Sequence, residues 1–239
     1  MKLFIKILLI FFDLLDEFFH QKKIKKFIEK NKIELNTYID IGGFKGKYTD
    51  LILKIKKDCK VILIEPQKKY YLTLKEKYKT NKKIEVLNIG ISDKKEKLQL
   101  KINKHEITST FSEFNTRNRY LNFKARLFSS NLKNMTKNVE NVEVLPLNEI
   151  IVNKNLTNID LIKIDTEGHE FKVLSGAKDC IKSINYVLIE FHNSEIFQDY
   201  SSHKIHNFFI DNEFILKEKF KFPFTNWEDR IYKNSRFKN

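Results

Sequence analysis

The stretch Tyr38-Ile39-Asp40-Ile41-Gly42-Gly43-Phe44-Lys45-Gly46-Lys47-Tyr48-Thr49 constrains the fold of this chain more than any other. Apolar residues lead into it, glycines occupy its turn and a Lys-rich helical pattern leaves it, which reads as strand, tight loop and helix start. Glycine serves where the backbone takes positive φ or approaches a ligand closely, and a helix beginning near Gly46 aims unpaired N–H groups at the loop. The stretch therefore reads as a nucleotide-type cradle, with an ordinary glycine-rich βα turn as the plain alternative.

A second apolar run, Lys60-Val61-Ile62-Leu63-Ile64-Glu65-Pro66, ends in an acid about 25 residues after Asp40. A carboxylate at that strand end can accept both hydroxyl hydrogens of a ribose. An NAD-binding loop would read G-x-G-x-x-G; here an acid, Asp40, precedes the first glycine. Such an anion repels a pyrophosphate and suits the ammonium of a methionine-like group. The implied cofactor is S-adenosylmethionine, and an NAD-dependent oxidoreductase is the disfavoured alternative.

No Pro- or Gly-rich linker divides the 239 residues, and 41% hydrophobic content with 21 Phe supplies a sizeable core. Two helical stretches precede the cradle. Residues 1–35 read as an N-terminal amphipathic helical segment, whose apolar run Ile7 to Phe12 is far shorter than the ~20 residues of a spanning helix. Its first 19 residues either pack on the domain or lie at a membrane surface, aided by Lys22-Lys23 and Lys25-Lys26. Two distant cysteines, Cys59 and Cys180, carry no metal or disulfide pattern, which suits a reducing, cytoplasmic setting. The net charge of +14 is spread along nearly every element, so it reads as a solvated surface and not as a nucleic-acid face.

Along residues 36–239, strands at Val61–Glu65, Ile84–Ile89, Leu98–Ile102, Val142–Leu145, Ile159–Ile164 and Tyr186–Phe191 alternate with helical patterns, with two more strands at Phe214–Phe220 and Arg230–Lys233. The helical patterns include Gln67–Lys79, Phe171–Ser183 and a stretch around His203 to Ile210. This predicts an α/β fold with a doubly wound, mostly parallel sheet. Gly90-Ile91-Ser92-Asp93 reads as a turn whose acid either reaches an adenine edge or is a plain polar turn. Residues 103–141 form a probable acceptor-binding insertion, since inserts of that length are usually functional or disordered. His203 and His206, one helical turn apart, read as surface residues.

The strand Ile159–Ile164 ends in Asp165-Thr166-Glu167-Gly168-His169-Glu170. Ligands of open parallel sheets sit outside the carboxyl ends of the strands, so this cluster belongs beside the cradle. A hydroxyl acceptor needs a base within about 3 Å. Asp165 and Glu167 are the first candidates, followed by His169 and His192; the plain readings are that Asp165 or Thr166 N-caps the next helix and that Glu190 closes its strand. No metal site is assigned, two acids without further ligands being too few.

Four stretches resemble the FkbM-type family of S-adenosylmethionine-dependent methyltransferases: Asp40 to Thr49, Ile64-Glu65-Pro66, Lys163-Ile-Asp-Thr-Glu-Gly-His-Glu170 and Ile189-Glu190-Phe-His192. They cover about residues 38 to 192 in the family's order. The resemblance implies a class I methyltransferase (Rossmann-like) fold with a seven-stranded sheet, and O-methylation of a sugar, glycan or other small natural-product hydroxyl. By it, Asp40, Gly42, Gly43 and Gly46 hold the methionine part and Glu65 the ribose, with Ser92 and Asp93 near the adenine. The family commonly has Asn where Phe44 stands, which removes a polar contact. That departure keeps open a degenerate, non-enzymatic module associated with membrane or glycan.

Overall fold

The computed structural model describes residues 15–104, 109–129, 136–192, 195–223 and 225–237. In chain order the strands are β1 Thr37–Ile41, β2 Lys60–Ile64, β3 Ile84–Leu87, β4 Gly90–Ser92, β5 Glu96–Asn103, β6 Thr136–Pro146, β7 Ile159–Ile164, β8 Ile184–His192, β9 Phe214–Lys221 and β10 Trp227–Asn234. The helices are α1 Gln21–Lys30, α2 Lys47–Ile55, α3 Lys68–Lys77, α4 Arg119–Ser129, α5 Leu147–Asn153, α6 Glu170–Ser175 and α7 Ser202–Asp211.

A seven-stranded sheet of order β3-β2-β1-β7-β8-β10-β9 forms the centre. Its first five strands are parallel, and β10 runs antiparallel to both β8 and β9. This is the expected doubly wound, mostly parallel architecture. Strand β7 is buried at all six positions, as its unbroken apolar pattern requires of a central parallel strand. Edge strand β9 exposes Lys217, Glu218, Lys219 and Lys221, which blunts further pairing.

Alternation along the strands sorts the core into two layers. Ile39, Ile62, Ile162, Val187 and Ile189 face Leu147, Ile150, Val173, Leu174 and Phe209 from α5, α6 and α7. On the other side Tyr38, Leu63, Leu161, Leu188 and Ile231 meet Ile24 and Ile28 of α1, Leu51 and Ile52 of α2, and Leu74 of α3. From His20 onward the N-terminal segment is thus part of the second layer. Residues 1–14, which hold most of the stretch weighed for membrane contact, lie outside the described residues. No helix among the described residues is long and apolar enough to cross a membrane.

Three expectations about local structure change. The helix read over Phe171–Ser183 is two pieces: α6 stops at Ser175 and a 3₁₀ turn follows over Lys178–Ser183. The helical run breaks at Lys178, which takes φ +49, while Gly176 keeps helical angles and permits a close approach, since a Cβ there would stand 2.0 Å from the carbonyl oxygen of Ser92. The turn read at Gly90–Asp93 is strand β4 over its first three residues, joined to β6 and β5 in a second sheet of order β4-β6-β5. Of the 103–141 insertion, Asn103 and residues 136–141 belong to this small sheet and residues 119–129 form α4. His206 is half-buried, its Nδ1 2.9 Å from the Tyr232 hydroxyl, while His203 is exposed as read.

Ile24 is fully buried against the second layer. Ile24→Ala is expected to destabilise the protein by about 2–5 kcal/mol in urea denaturation. A loss below about 0.5 kcal/mol would mean that α1 is an appended arm and not core.

Candidate active site

The strand order turns back at β1 and β7, and their carboxyl ends form the crevice where open α/β sheets bind ligands. Gly42 and Gly43 both donate backbone N–H bonds to the Ile64 carbonyl, at 3.0 and 3.1 Å. Gly42 has φ +83, and a Cβ there would stand 1.9 Å from the carbonyl oxygen of Asp165. The glycine loop and the loop after β7 are therefore in direct backbone contact. Gly46 immediately precedes α2, whose first turn opens under the loop.

Glu65, at the end of β2, is buried and held by two backbone donors: Phe44 N–H at 2.7 Å and Gln67 N–H at 2.8 Å. Burial pushes its pKa up to about 7, against the pull of those two donors. Phe44, at φ +45, contributes its amide to Glu65 and its ring to a contact with Tyr70 at 4.2 Å between centroids. Asp40 is fully buried beneath the loop. Its Oδ2 accepts from Thr49 Oγ1 at 2.7 Å, and its Oδ1 has no hydrogen-bond partner among the described residues. Burial raises its pKa and Lys163 opposes the rise.

Ser92 and Asp93 are joined to the loop after β7. Ser92 Oγ lies 3.0 Å from His169 Nε2 and donates to Asp93 Oδ1 at 3.2 Å. Lys172 pairs with Asp93 at 2.8 Å; burial opposes the ionised form, but this partner holds the carboxyl below its usual range. Burial, with Lys172 nearby, pushes His169 down to about 4, so its imidazole is neutral and fixed on Ser92.

Asp165 lies next to Gly42 and accepts from Lys163 Nζ at 2.7 Å. Lys163 is sealed in the sheet with its ammonium 4.2 Å from the centre of the Tyr48 ring. Burial works against its charge, yet Asp165, Asp40 and Asp229 hold it protonated, with its pKa raised. Glu167 takes φ +51, in the left-handed region that a non-glycine residue adopts only under constraint. The Thr110 hydroxyl donates to its carbonyl at 2.5 Å. Glu170, fully buried, ties the loop from inside: one carboxylate oxygen accepts from Thr166 N–H, Thr166 Oγ1 and Gly168 N–H at 3.1, 3.2 and 3.0 Å. Neither Asp165 nor Thr166 caps α6; the cap position is His169, and Glu170 does the holding.

At the end of β8, Glu190 and His192 face the same way as Lys163 and Asp165. Glu190 Oε2 is 3.4 Å from His192 Nε2. Glu167, Glu190 and His192 each offer one ligand atom, all within 4.8 Å of one another. Burial, reinforced by Asp165 and Glu167, raises the Glu190 pKa well above the carboxylic range. Glu190 pairs in register with Asp229 of β10, which accepts from His20 Nε2 at 2.9 Å and from Tyr48 at 2.7 Å. Of the residues singled out in the sequence, the structure brings Gly42, Gly43, Glu65 and Asp165 to one crevice, with Glu167 and His192 beside it. Lys163, Glu170, Glu190 and Asp229 were not read as site residues. A lysine inside an otherwise apolar strand, two places before an acid, was the signal available for the first of them.

A glycine loop at the switch point, an acid at the end of the next strand and a carboxylate cluster after β7 define a methyltransferase-type cofactor site. Residues 40–219 match the Methyltransferase FkbM domain, and the chain belongs to that family. With the family goes the cofactor, S-adenosylmethionine, and the residues present fit it: a backbone cradle that admits no Cβ at Gly42, a preset Glu65 and an Asp40 oxygen left without a hydrogen bond. The hexuronic acid methyltransferase AglP of Haloferax volcanii is 29% identical over 51 residues, 21% of each chain. Methyltransferase FkbM from Methylobacillus flagellatus KT superposes with TM-score 0.54 at 16% identity, over 83% of this chain and 43% of that one. A protein of the NADB-Rossmann superfamily from Streptococcus agalactiae gives 0.50 at 10% identity, over 92% and 70%. These structural likenesses concern the fold. The chain spans less than half the length of the AglP and FkbM relatives.

Burial holds the Glu170 pKa near about 7, above the unfolded carboxyl value of about 4.3. A raised carboxyl contributes stability that is whole below the unfolded pKa and lost as pH rises through the folded one. Glu170→Gln keeps an acceptor oxygen and cannot ionise. It is expected to lose less stability than the wild type between about pH 5 and about pH 8 in urea titrations. Parallel losses would show that Glu170 does not titrate in this way.

Proposed function

We propose that this protein transfers a methyl group from S-adenosylmethionine to a hydroxyl of a sugar, glycan or other small natural product, and that nucleic acid is not its acceptor. The observation that carries the reading is the backbone contact between the glycine loop and Asp165, which puts a carboxylate cluster at the edge of the cofactor crevice. The partial likeness to a hexuronic acid methyltransferase makes sugars the first acceptors to try.

S-adenosylmethionine supplies a methyl group already activated on a sulfonium, so what remains for the protein is to position an oxygen and take its proton. Gly42, Gly43 and Gly46 admit the methionine part to the backbone, and Asp40 offers it negative charge from below. Glu65, fixed by two amides, accepts the ribose hydroxyls. Asp165, aligned by the Lys163 ammonium, is the base, while Glu167 and His192 orient the acceptor. His169 serves structure instead, being neutral and bonded to Ser92. The Phe44 side chain does not disable the cradle, since the Phe44 amide supplies the bond to Glu65.

S-adenosylhomocysteine at 100 times its dissociation constant adds ~2.7 kcal/mol, a thermal shift on the order of 5–10 °C for a chain of this size. The shift is expected with the wild type and absent in Glu65→Ala. Because the ribose needs the ionised Glu65, affinity should rise with pH up to about 7 and level off above it, a dependence that Glu65→Gln removes. No shift at any pH would sink the cofactor assignment.

Methyl transfer from labelled cofactor to a panel of neutral and uronate sugars is the second test. Asp165→Asn should lower turnover roughly 10²–10⁴-fold while leaving the thermal shift in place. Cofactor binding without transfer to any hydroxyl acceptor would favour the module that keeps the fold without turnover.

A further inference from the structure

We propose that Glu167, Glu190 and His192 bind a divalent cation at the edge of the cofactor crevice, of the kind that accepts mixed carboxylate and imidazole ligation, with Mn²⁺ as its representative. One ligand atom from each lies within 4.8 Å of the other two. Their backbone positions are fixed by separate means. Glu190 and His192 sit two apart on the same face of β8, and the His192 N–H donates to the Tyr200 hydroxyl at 2.8 Å. The imidazole is wedged edge-on between the Phe197 and Tyr200 rings, 5.2 Å from each. Glu167 is held in its left-handed conformation by the Thr110 bond and the Glu170 clamp on either side of it.

The independent observation is Glu190 itself. It is 7% exposed, and its Oε2, directed at His192, receives no hydrogen bond among the described residues. A buried carboxyl oxygen without a hydrogen-bond partner is costly, and a cation taking the place of the carboxyl proton would complete it. The surrounding charge has the same sign: Asp165, Glu167, Asp229 and Glu170 all act on Glu190, while the Lys163 ammonium is engaged by Asp165. Two carboxylates and one imidazole are also the ligand count of an open metal site, leaving positions for an acceptor oxygen. The binding stands without reference to methyl transfer; only its use, to hold and acidify an acceptor hydroxyl, rests on the reading above.

The test is a titration of the EDTA-stripped chain with MnCl₂, followed by loss of the free Mn²⁺ electron paramagnetic resonance signal. The wild type is expected to take up about one equivalent, and Glu190→Gln and His192→Gln to bind at least about tenfold more weakly. Glu167→Gln, at a half-buried position, gives the same readout should either buried variant fail to fold, and Asp179→Asn on the exposed surface should match the wild type. The S-adenosylhomocysteine thermal shift, read on the same samples, reports the cofactor site separately. A shift without Mn²⁺ uptake into the millimolar range, or uptake unchanged in all three variants, would overturn the cation site and leave the methyltransferase reading intact. Uptake lost in the variants supports the cation site, whether or not the cofactor binds.

Discussion

A protonated lysine sealed inside the sheet sets the terms for the groups around it. Lys163 stands beside Asp40 in register, bonds Asp165 at 2.7 Å and feels Asp229 through the second layer. Each of those carboxylates would be costly alone in a medium that screens charge poorly, and the shared ammonium lets them coexist. Tyr48 closes over the same ammonium and passes its hydroxyl to Asp229, which in turn receives His20. One buried charge thus connects the cofactor strand, the acid-bearing strand, the antiparallel edge and the N-terminal segment. Replacing it would leave several buried acids without their shared cation at once.

The chain presents opposite electrostatic characters at its surface and in its crevice. Its net charge of +14 is carried by dispersed lysines, whereas the groups gathered at the carboxyl ends of β7 and β8 are mostly acids. The surface field draws in anions from a distance, but the crevice itself favours cationic or neutral groups. A sulfonium compound and a hydroxyl acceptor suit that interior, and a free pyrophosphate does not.

Much of this architecture could be read from residues in order. The runs Lys60–Ile64 and Ile159–Ile164 declare buried parallel strands, and Gly42, Gly43, Gly46 and Glu65 declare themselves by lying next to strand ends. What escaped reading depends on partners far away in the chain. Thr136–Asn141 begins β6 with little apolar alternation, because the buried apolar side chains of this part of the pairing, Leu100 and Ile102, belong to β5. The glycine at 176 answers to the close approach of Ser92, and His20 finds Asp229 across 209 positions. Glu190 reads as the close of its strand and His192 as a candidate base, and only the closeness of Glu167, fixed from β7, turns them into a cluster.

The bond from the Thr110 hydroxyl to the Glu167 carbonyl ties the small sheet to the acid loop, and the Ser92–His169 contact ties it a second time. The accessory sheet and the acid loop are consequently joined at two points, and the same loop packs against Gly42 at its other end. Insertions or shortenings between β5 and β6 would therefore be felt first at Glu167, through Thr110, whereas β1 and β2 are set by their own pairing.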